Sequence, residues 1–395
     1  MKPSLRKSAF ASLLLIVTLS WSQPAINFDD GSYQSVLQRS KDEHKNIFYM
    51  LYANWCSHCN KMKQDVFKWE KVAQYLNTNF VCAWQDVEKG QGAAMKQQFK
   101  ANAYPTFLVL DANGQLLYAF NGEWQADDFL AEIKFAQVPE KQLPYLEKQF
   151  RNDPSNGKKC LEYLATLKKS LERSQINAQA QQYFATQSDA QMLSEINWRI
   201  IANGVSDIES RPFQYVLQHK AEFEKIASPK RVQKKLDNIV SESLNPYVES
   251  LDTVNYFKKR SMAKSLNTTR TDSIIYRYDL QISQKKNDWK WYAKINRELA
   301  QKYAWNDANL LKDIAMAYTK NIVDIEDLVF AVKLLDRSLE KNDSYDGAIA
   351  MAKLYRKIND KKQALAYAER ARKRNADLGF NTKEADEIIL QLTQK

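Results

Sequence analysis

The chain has 395 residues, 44% of them apolar and 12% aromatic, which supports packed cores and excludes a disordered or low-complexity polymer. Its length exceeds what one ordinary core accommodates, so two or more domains are expected. The formal charge is +11, but no dense Lys/Arg block or base-stacking motif accompanies it, and no nucleic-acid partner is expected.

That charge is unevenly placed. Residues 23–140 hold 11 Lys and Arg against 14 Asp and Glu, so the basic excess belongs to the first few residues and to the part after residue 140. There it describes a solvated helical surface with some attraction for an acidic partner. At the start of the chain Lys2, Arg6 and Lys7 precede a short apolar run over 10–19, then Ser20-Trp21-Ser22. This is the pattern of a signal peptide over residues 1–22, cleaved near Ser22-Gln23, and it predicts an exported protein, periplasmic or extracellular. The apolar run is too short to cross a hydrocarbon core of about 30 Å. A retained membrane anchor is the alternative.

Turn residues divide the chain. Five of the nine glycines precede residue 140, and no proline follows Pro246. The first part is therefore turn-rich, and the remainder is expected to be helical. Residues 27–40 carry Tyr33, Val36 and Leu37 at helical spacing, and the apolar run 47–52 predicts a buried strand. Met62, Val66 and Phe67 mark a helix face after it, and Val72, Tyr75 and Leu76 mark a second. A strand over 80–84 follows, then a helix opening at the Gly90-Gln91-Gly92 turn with Met95 and Phe99 inward. Residues 107–110 and 116–120 form a hairpin around Asp111-Ala112-Asn113-Gly114, where Asn and Gly supply positive φ. A helix over 126–135 completes a β-α-β-α-β-β-α order ending near residue 140.

Between the first strand and its helix stands Trp55-Cys56-Ser57-His58-Cys59. Two cysteines two residues apart at the start of a helix point to thiol chemistry. The helix N-terminus favours a thiolate at Cys56, which makes it the nucleophile, and the more buried Cys59 resolves the mixed disulfide. Ser57 and His58 tune the pair. Cys82, in an apolar strand, and Cys160, in a helical pattern, are expected to be small buried hydrophobes, with a bond between them left open. Cys56, His58 and Cys59 are too few donors for zinc, and His44 and His219 add no second cluster. No metal is expected, and no cofactor beyond the Cys56–Cys59 disulfide itself.

Taken together, W-C-x-x-C after an apolar strand, Tyr104-Pro105-Thr106 about 50 residues later, the Asp111 to Gly114 hairpin and Gly122 resemble a thioredoxin fold. Residues 45–125 are similar to the thioredoxin-like C-terminal domain of the membrane-embedded periplasmic disulfide reductase and its secreted relatives. The resemblance implies a cis bond before Pro105, with the Tyr104 backbone set beside Cys56 so that an extended substrate segment pairs there. Trp55 is expected to shield one side of the site, with simple packing as the alternative, and Thr106 belongs to the same loop as Pro105. The x-His loop is similar to those of the protein disulfide isomerases and of DsbA, whose potentials stand at about −180 and −120 mV against about −270 mV for thioredoxin. The family's buried acid, six residues before the first cysteine, is replaced here by Met50. A reductant is suggested by the first likeness, and an oxidant or isomerase by His58 and Met50.

After residue 140 helical periodicity dominates, with Pro212, Pro229 and Pro246 expected at or near helix starts. Ala331 and Ala364 begin similar patterns 33 residues apart, and Ala315, Tyr318, Ala348, Met351, Ala352, Tyr355, Ala368 and Ala371 fall on the same small-residue faces. These resemble degenerate tetratricopeptide-type repeats, whose period is about 34; an irregular α-helical domain is the alternative. The expected organisation is a signal peptide (1–22), an α/β thioredoxin fold (23–140) and an all-α, repeat-like domain (141–395). The expected function is thiol:disulfide exchange with protein substrates, assisted by a membrane-bound or soluble redox partner. The alternative is a helical adaptor that uses the first domain as a platform and binds a protein partner.

Overall fold

The structure is a computed structural model that describes residues 25–170 and 173–394, so the signal-peptide reading of residues 1–22 lies outside the described residues. The chain divides into two compact units, with the division between Gly204 and Val205.

The first unit is built on a five-stranded sheet. Its elements are β1 (Phe28–Asp29), α1 (Tyr33–Glu43), β2 (Asn46–Tyr52), α2 (Ser57–Lys61), α3 (Glu70–Asn79), β3 (Phe80–Asp86), α4 (Gly90–Gln98), β4 (Thr106–Leu110), β5 (Leu116–Asn121) and α5 (Ala126–Ala136). The strand order is β1-β3-β2-β4-β5. β3 runs parallel to β1 and β2, whereas β4 is antiparallel to β2 and β5. The two-residue β1 is an addition to the expected order, too short to leave a sequence pattern. Capping residues fix the ends: Ser32 Oγ accepts the Ser35 N–H at 3.1 Å to start α1, and His44 stops it in the left-handed region at φ 51°. The β4–β5 hairpin closes as its sequence dictates, with Asp111 Oδ1 accepting the N–H groups of Asn113 and Gln115 at 2.8 Å each.

The central position of β2 explains why nearly every residue in it is apolar. Phe48, Met50 and Leu51 are fully buried, and Phe48 stacks on Phe107 of β4 at 5.8 Å while meeting Phe129 of α5 edge-on at 6.0 Å. Burying each such aromatic contributes about 2–3 kcal/mol. This cluster anchors the middle of β2, and the loop that leaves its C-terminal end carries the cysteines.

Five further helices belong to the same unit: α6 (Leu143–Asn152), α7 (Gly157–Lys169), α8 (Arg173–Ala185), α9 (Asp189–Met192) and α10 (Glu195–Gly204). α6 and α7 pack against β5, the edge strand. Lys169 Nζ donates to Tyr118 Oη at 2.7 Å and pairs with Glu132 Oε1 at 2.6 Å, lying also over the Phe135 ring at 5.6 Å.

In the second unit every described regular element is a helix. Pro212 and Pro229 fall in first turns, at Arg211–Gln218 and Pro229–Ser250. Pro246 does not: it lies inside Pro229–Ser250. A proline there removes one ladder bond, but buried Leu244 and Val248 on either side carry the helix past it. Consecutive helices Ala308–Asn321 and Ile325–Lys341 pack together, as do Tyr345–Lys357 and Lys361–Asp377. The small-residue faces read from sequence are inside these contacts: Ala315, Tyr318, Ala331 and Leu335 share one core, and Ala348, Ala352, Ala368 and Ala371 another. No helix among the described residues is long and apolar enough to cross a membrane.

Candidate active site

Cys56 is the residue that starts α2. Its backbone is extended (φ −78°, ψ 110°), and its Sγ accepts the backbone N–H of Cys59 at 3.3 Å, the role a Ser or Asp oxygen plays at other helix starts. A sulfur so placed faces the first turn of the helix. The same Sγ lies 3.5 Å from the Tyr104 carbonyl. The chain therefore brings the cysteine loop and the Tyr104-Pro105-Thr106 segment together, although 48 residues separate Cys56 from Tyr104.

That segment is held from both sides. The Tyr104–Pro105 bond is cis. Gly122, at φ +94°, turns its N–H onto the Pro105 carbonyl at 2.9 Å, a geometry that favours glycine over any L side chain. Buried Thr106 opens β4 and donates its hydroxyl to Ala103 O at 2.6 Å.

The two cysteines differ in setting. Cys59 is fully buried, and burial first, then the hydrogen bond with Cys56, pushes its thiol up to about 12. Cys56 is itself only 5% exposed, so the expected contrast with the more buried Cys59 is small. Its sulfur is turned inward onto the Cys59 amide and the Tyr104 carbonyl, which accounts for the shelter. All four cysteines are free thiols, and Cys82 and Cys160 are buried, each pushed up to about 12 by burial.

Trp55 is 68% exposed beside the pair. Its indole N–H donates to Glu88 Oε1 at 2.8 Å, and its ring meets Tyr104 edge-on at 6.2 Å, so it stands as a wall at the mouth of the site. Ser57 is exposed at the first helical position. His58 points to solvent as well, with Nδ1 2.6 Å from Glu123 Oε2; Lys61 Nζ reaches the other carboxylate oxygen at 3.1 Å. Hydrogen bonds from His58 and then Lys61 hold the Glu123 carboxyl below its usual range.

A carboxyl depressed in the folded state stabilises that state above the unfolded pKa, and the contribution is lost as pH falls through the folded value. Glu123→Gln is therefore expected to lower the urea midpoint slightly at neutral pH. Parent and variant should begin to converge as pH drops below the ordinary glutamate pKa and meet once it has fallen through the lower folded value. Midpoints that differ by the same amount at both pH values would show that the tether plays no part.

Glu88 and Glu123 were not foreseen from sequence. Each lies just past a strand end, Glu88 after β3 and Glu123 after Gly122, and that placement is the only signal they leave. Met50 is fully buried, so no acid occupies the β2 position below the cysteines. Asp86 lies nearby but accepts from Asn54 Nδ2 at 2.7 Å and from the Glu88 N–H at 3.1 Å, which commits it to bracing the two loops.

A family model described as a thioredoxin-like domain matches residues 33–137, which bracket this sheet and both halves of the site. Residues 33–137 are a thioredoxin-like domain. Bovine protein disulfide-isomerase A5 is 30% identical over 105 residues, 26% of this chain and 19% of that protein. Rice protein disulfide isomerase-like 1-2 is 24% identical over 115 residues, 28% of this chain and 21% of that one. A solution structure of a Bacteroides thetaiotaomicron protein described as a disulphide-isomerase is 31% identical, covering 30% of this chain and 97% of that one, with a TM-score of 0.28. The chain thus spans about a fifth of the length of the curated relatives it matches, and these matches cover a third of this chain or less. The thioredoxin-like domain is what they share with it.

Proposed function

We propose that this chain is an exported thiol:disulfide oxidoreductase that exchanges disulfides with protein substrates through Cys56 and Cys59. The observation that carries the reading is Cys56 Sγ, set at a helix start against the Cys59 amide at 3.3 Å and beside the Tyr104 carbonyl at 3.5 Å. In this mechanism the Cys56 thiolate attacks one sulfur of a substrate disulfide. A Cys56–substrate disulfide forms, and the other substrate sulfur leaves as a thiolate. Cys59, deprotonated, then attacks Cys56 Sγ; the Cys56–Cys59 bond forms, and the second substrate sulfur is released reduced. Run backwards, the same steps oxidise a substrate dithiol. The disulfide is the only redox group required, the Tyr104-Pro105-Thr106 segment receives the substrate main chain, and Trp55 borders the mouth.

The direction we favour is isomerase or oxidant. His58 in the loop and the apolar Met50 support it, as does the naming of the relatives. The test is the equilibrium of the Cys56–Cys59 pair with glutathione. A potential above about −200 mV is expected, and one below about −250 mV would assign the protein to reductase duty.

A second reading is an adaptor whose tetratricopeptide-like helices bind a protein partner. Exposed apolar side chains in the second unit, Val323 and Val254 foremost, favour it. Its signature would be a Cys56→Ala, Cys59→Ala double variant with full biological activity.

A further inference from the structure

Resolution requires the buried Cys59 to give up a proton, and no acid beneath it helps. Met50 is fully buried, and Asp86 is engaged by Asn54 and Glu88. A different charge stands on that side of the sheet. In a strand alternate residues share a face, so Met50 and Tyr52 point the same way, and Trp84, in register with Met50, joins them. Lys63 reaches into this face. Its Nζ lies 3.1 Å from the centre of the Tyr52 ring and 4.7 Å from that of Trp84, a cage of two aromatic faces for one ammonium.

The backbone is shaped for that reach. Lys63 follows Cys59 by four residues, the spacing that puts two side chains on one helix face. Between them α2 passes into a π-helical turn, Met62–Val66, where the Phe67 N–H bonds Met62 O at 2.9 Å. Such turns re-aim side chains and recur at functional sites. The charges around the cage are few: Cys56 and Cys59 on the loop and α2, Asp86 on β3, and Asp30 after β1, which is felt at Tyr52. Burial disfavours the Lys63 ammonium, and Cys59 and Asp86 pull it back; in turn Lys63 opposes the upward push that burial exerts on the Cys59 thiol.

We propose that Lys63 is the positioning residue that takes over from the missing acid: its ammonium, fixed between Tyr52 and Trp84, stabilises the Cys59 thiolate that resolves the mixed disulfide. This inference rests on the oxidoreductase reading of the cysteine pair. In the step concerned Cys59 loses its proton to water, its sulfur lone pair forms the bond to Cys56 Sγ, and the bond between Cys56 and the bound thiol breaks, so that the thiol leaves as a thiolate. Lys63 keeps its proton throughout. The ammonium acts across a half-buried face next to buried Cys59, where a nearby charge counts for more than in bulk water.

The experiment uses the full protein carrying a glutathione adduct on Cys56 and follows glutathione release at neutral pH. Lys63→Met keeps the length and apolar body of the side chain inside the cage and removes the charge. Release is expected to slow about tenfold, because a smaller fraction of Cys59 is ionised once its counter-charge is gone. Lys63→Arg should restore release to within about threefold, since it returns the cation. In adduct-free protein the alkylation rate of Cys56 should be the same in all three, a split that a general loss of structure would not give. Release at the parent rate in Lys63→Met overturns the proposal, as does an equal slowing of Cys56 alkylation. A parent that never releases glutathione overturns the oxidoreductase reading together with this one, whereas normal release in both overturns this one alone.

Discussion

Cys59→Ser is expected to convert the protein into a trap. Cys56 keeps its helix-start position in that variant, because the bond it accepts comes from the backbone N–H of residue 59 and not from the side chain. It attacks substrate disulfides as before. The mixed disulfide then lacks its resolving thiol, one that is tethered in the parent and acts at a very high effective concentration. External thiol must replace it, so release should fall by roughly 100-fold or more. Non-reducing gels of cells producing the variants should show covalent adducts with Cys59→Ser and none with Cys56→Ser. Cys82 and Cys160 will not substitute, since burial denies them both access and thiolate. If Cys59→Ser collects no adducts and turns over normally, the assignment of the resolving role is wrong.

Asp279→Ala is expected to give the largest loss of stability in the helical unit, about 3 kcal/mol. Asp279 is 1% exposed and serves three donors at once. Arg260 Nε lies 2.7 Å from Oδ1, Arg260 Nη2 meets Oδ2, and the Tyr256 hydroxyl donates to Oδ1 at 2.7 Å. Burial first, then the Asp279 anion, keeps that hydroxyl protonated at all ordinary pH. Removing the carboxylate leaves a guanidinium and a buried hydroxyl without their acceptor, and an abandoned buried donor costs more than the pair was worth. Tyr256→Phe, which takes away one neutral donor and no charge, should cost about 1 kcal/mol. Urea midpoints for the two variants decide the matter; equal losses would mean that packing and not the charge sets the cost.

Much of the α/β domain was legible because its signals are local. Apolar runs of strand length, the Asp111 turn and the cysteine spacing each need only a few neighbouring residues, and β2 to β5 and α3 to α5 stand where those signals put them. What stayed hidden depends on partners far along the chain. Glu88 holds Trp55 across 33 residues, and Glu123 holds His58 across 65. Neither carboxylate carries a pattern that separates it from other surface acids. Lys63 was invisible for a related reason. Its environment is set by register between β2 and β3 and by a π-helical turn, and neither is written in periodicity. Pro246 shows the converse: a strong local breaker was overruled by burial of the helix on either side.

The contact of Lys169 with Tyr118, Glu132 and Phe135 bears on where this protein can be cut. The sheet and its helices end at Ala136, and residue 140 looks like a natural place to separate an autonomous redox module. A fragment stopping there would lose α6 and α7, strip the cover from the edge strand, and leave Tyr118 and Phe135 facing water on the same flank. An uncovered sheet edge beside bared aromatics invites strand-to-strand self-association. A fragment that keeps this flank covered therefore runs through Gly204, the end of the first compact unit.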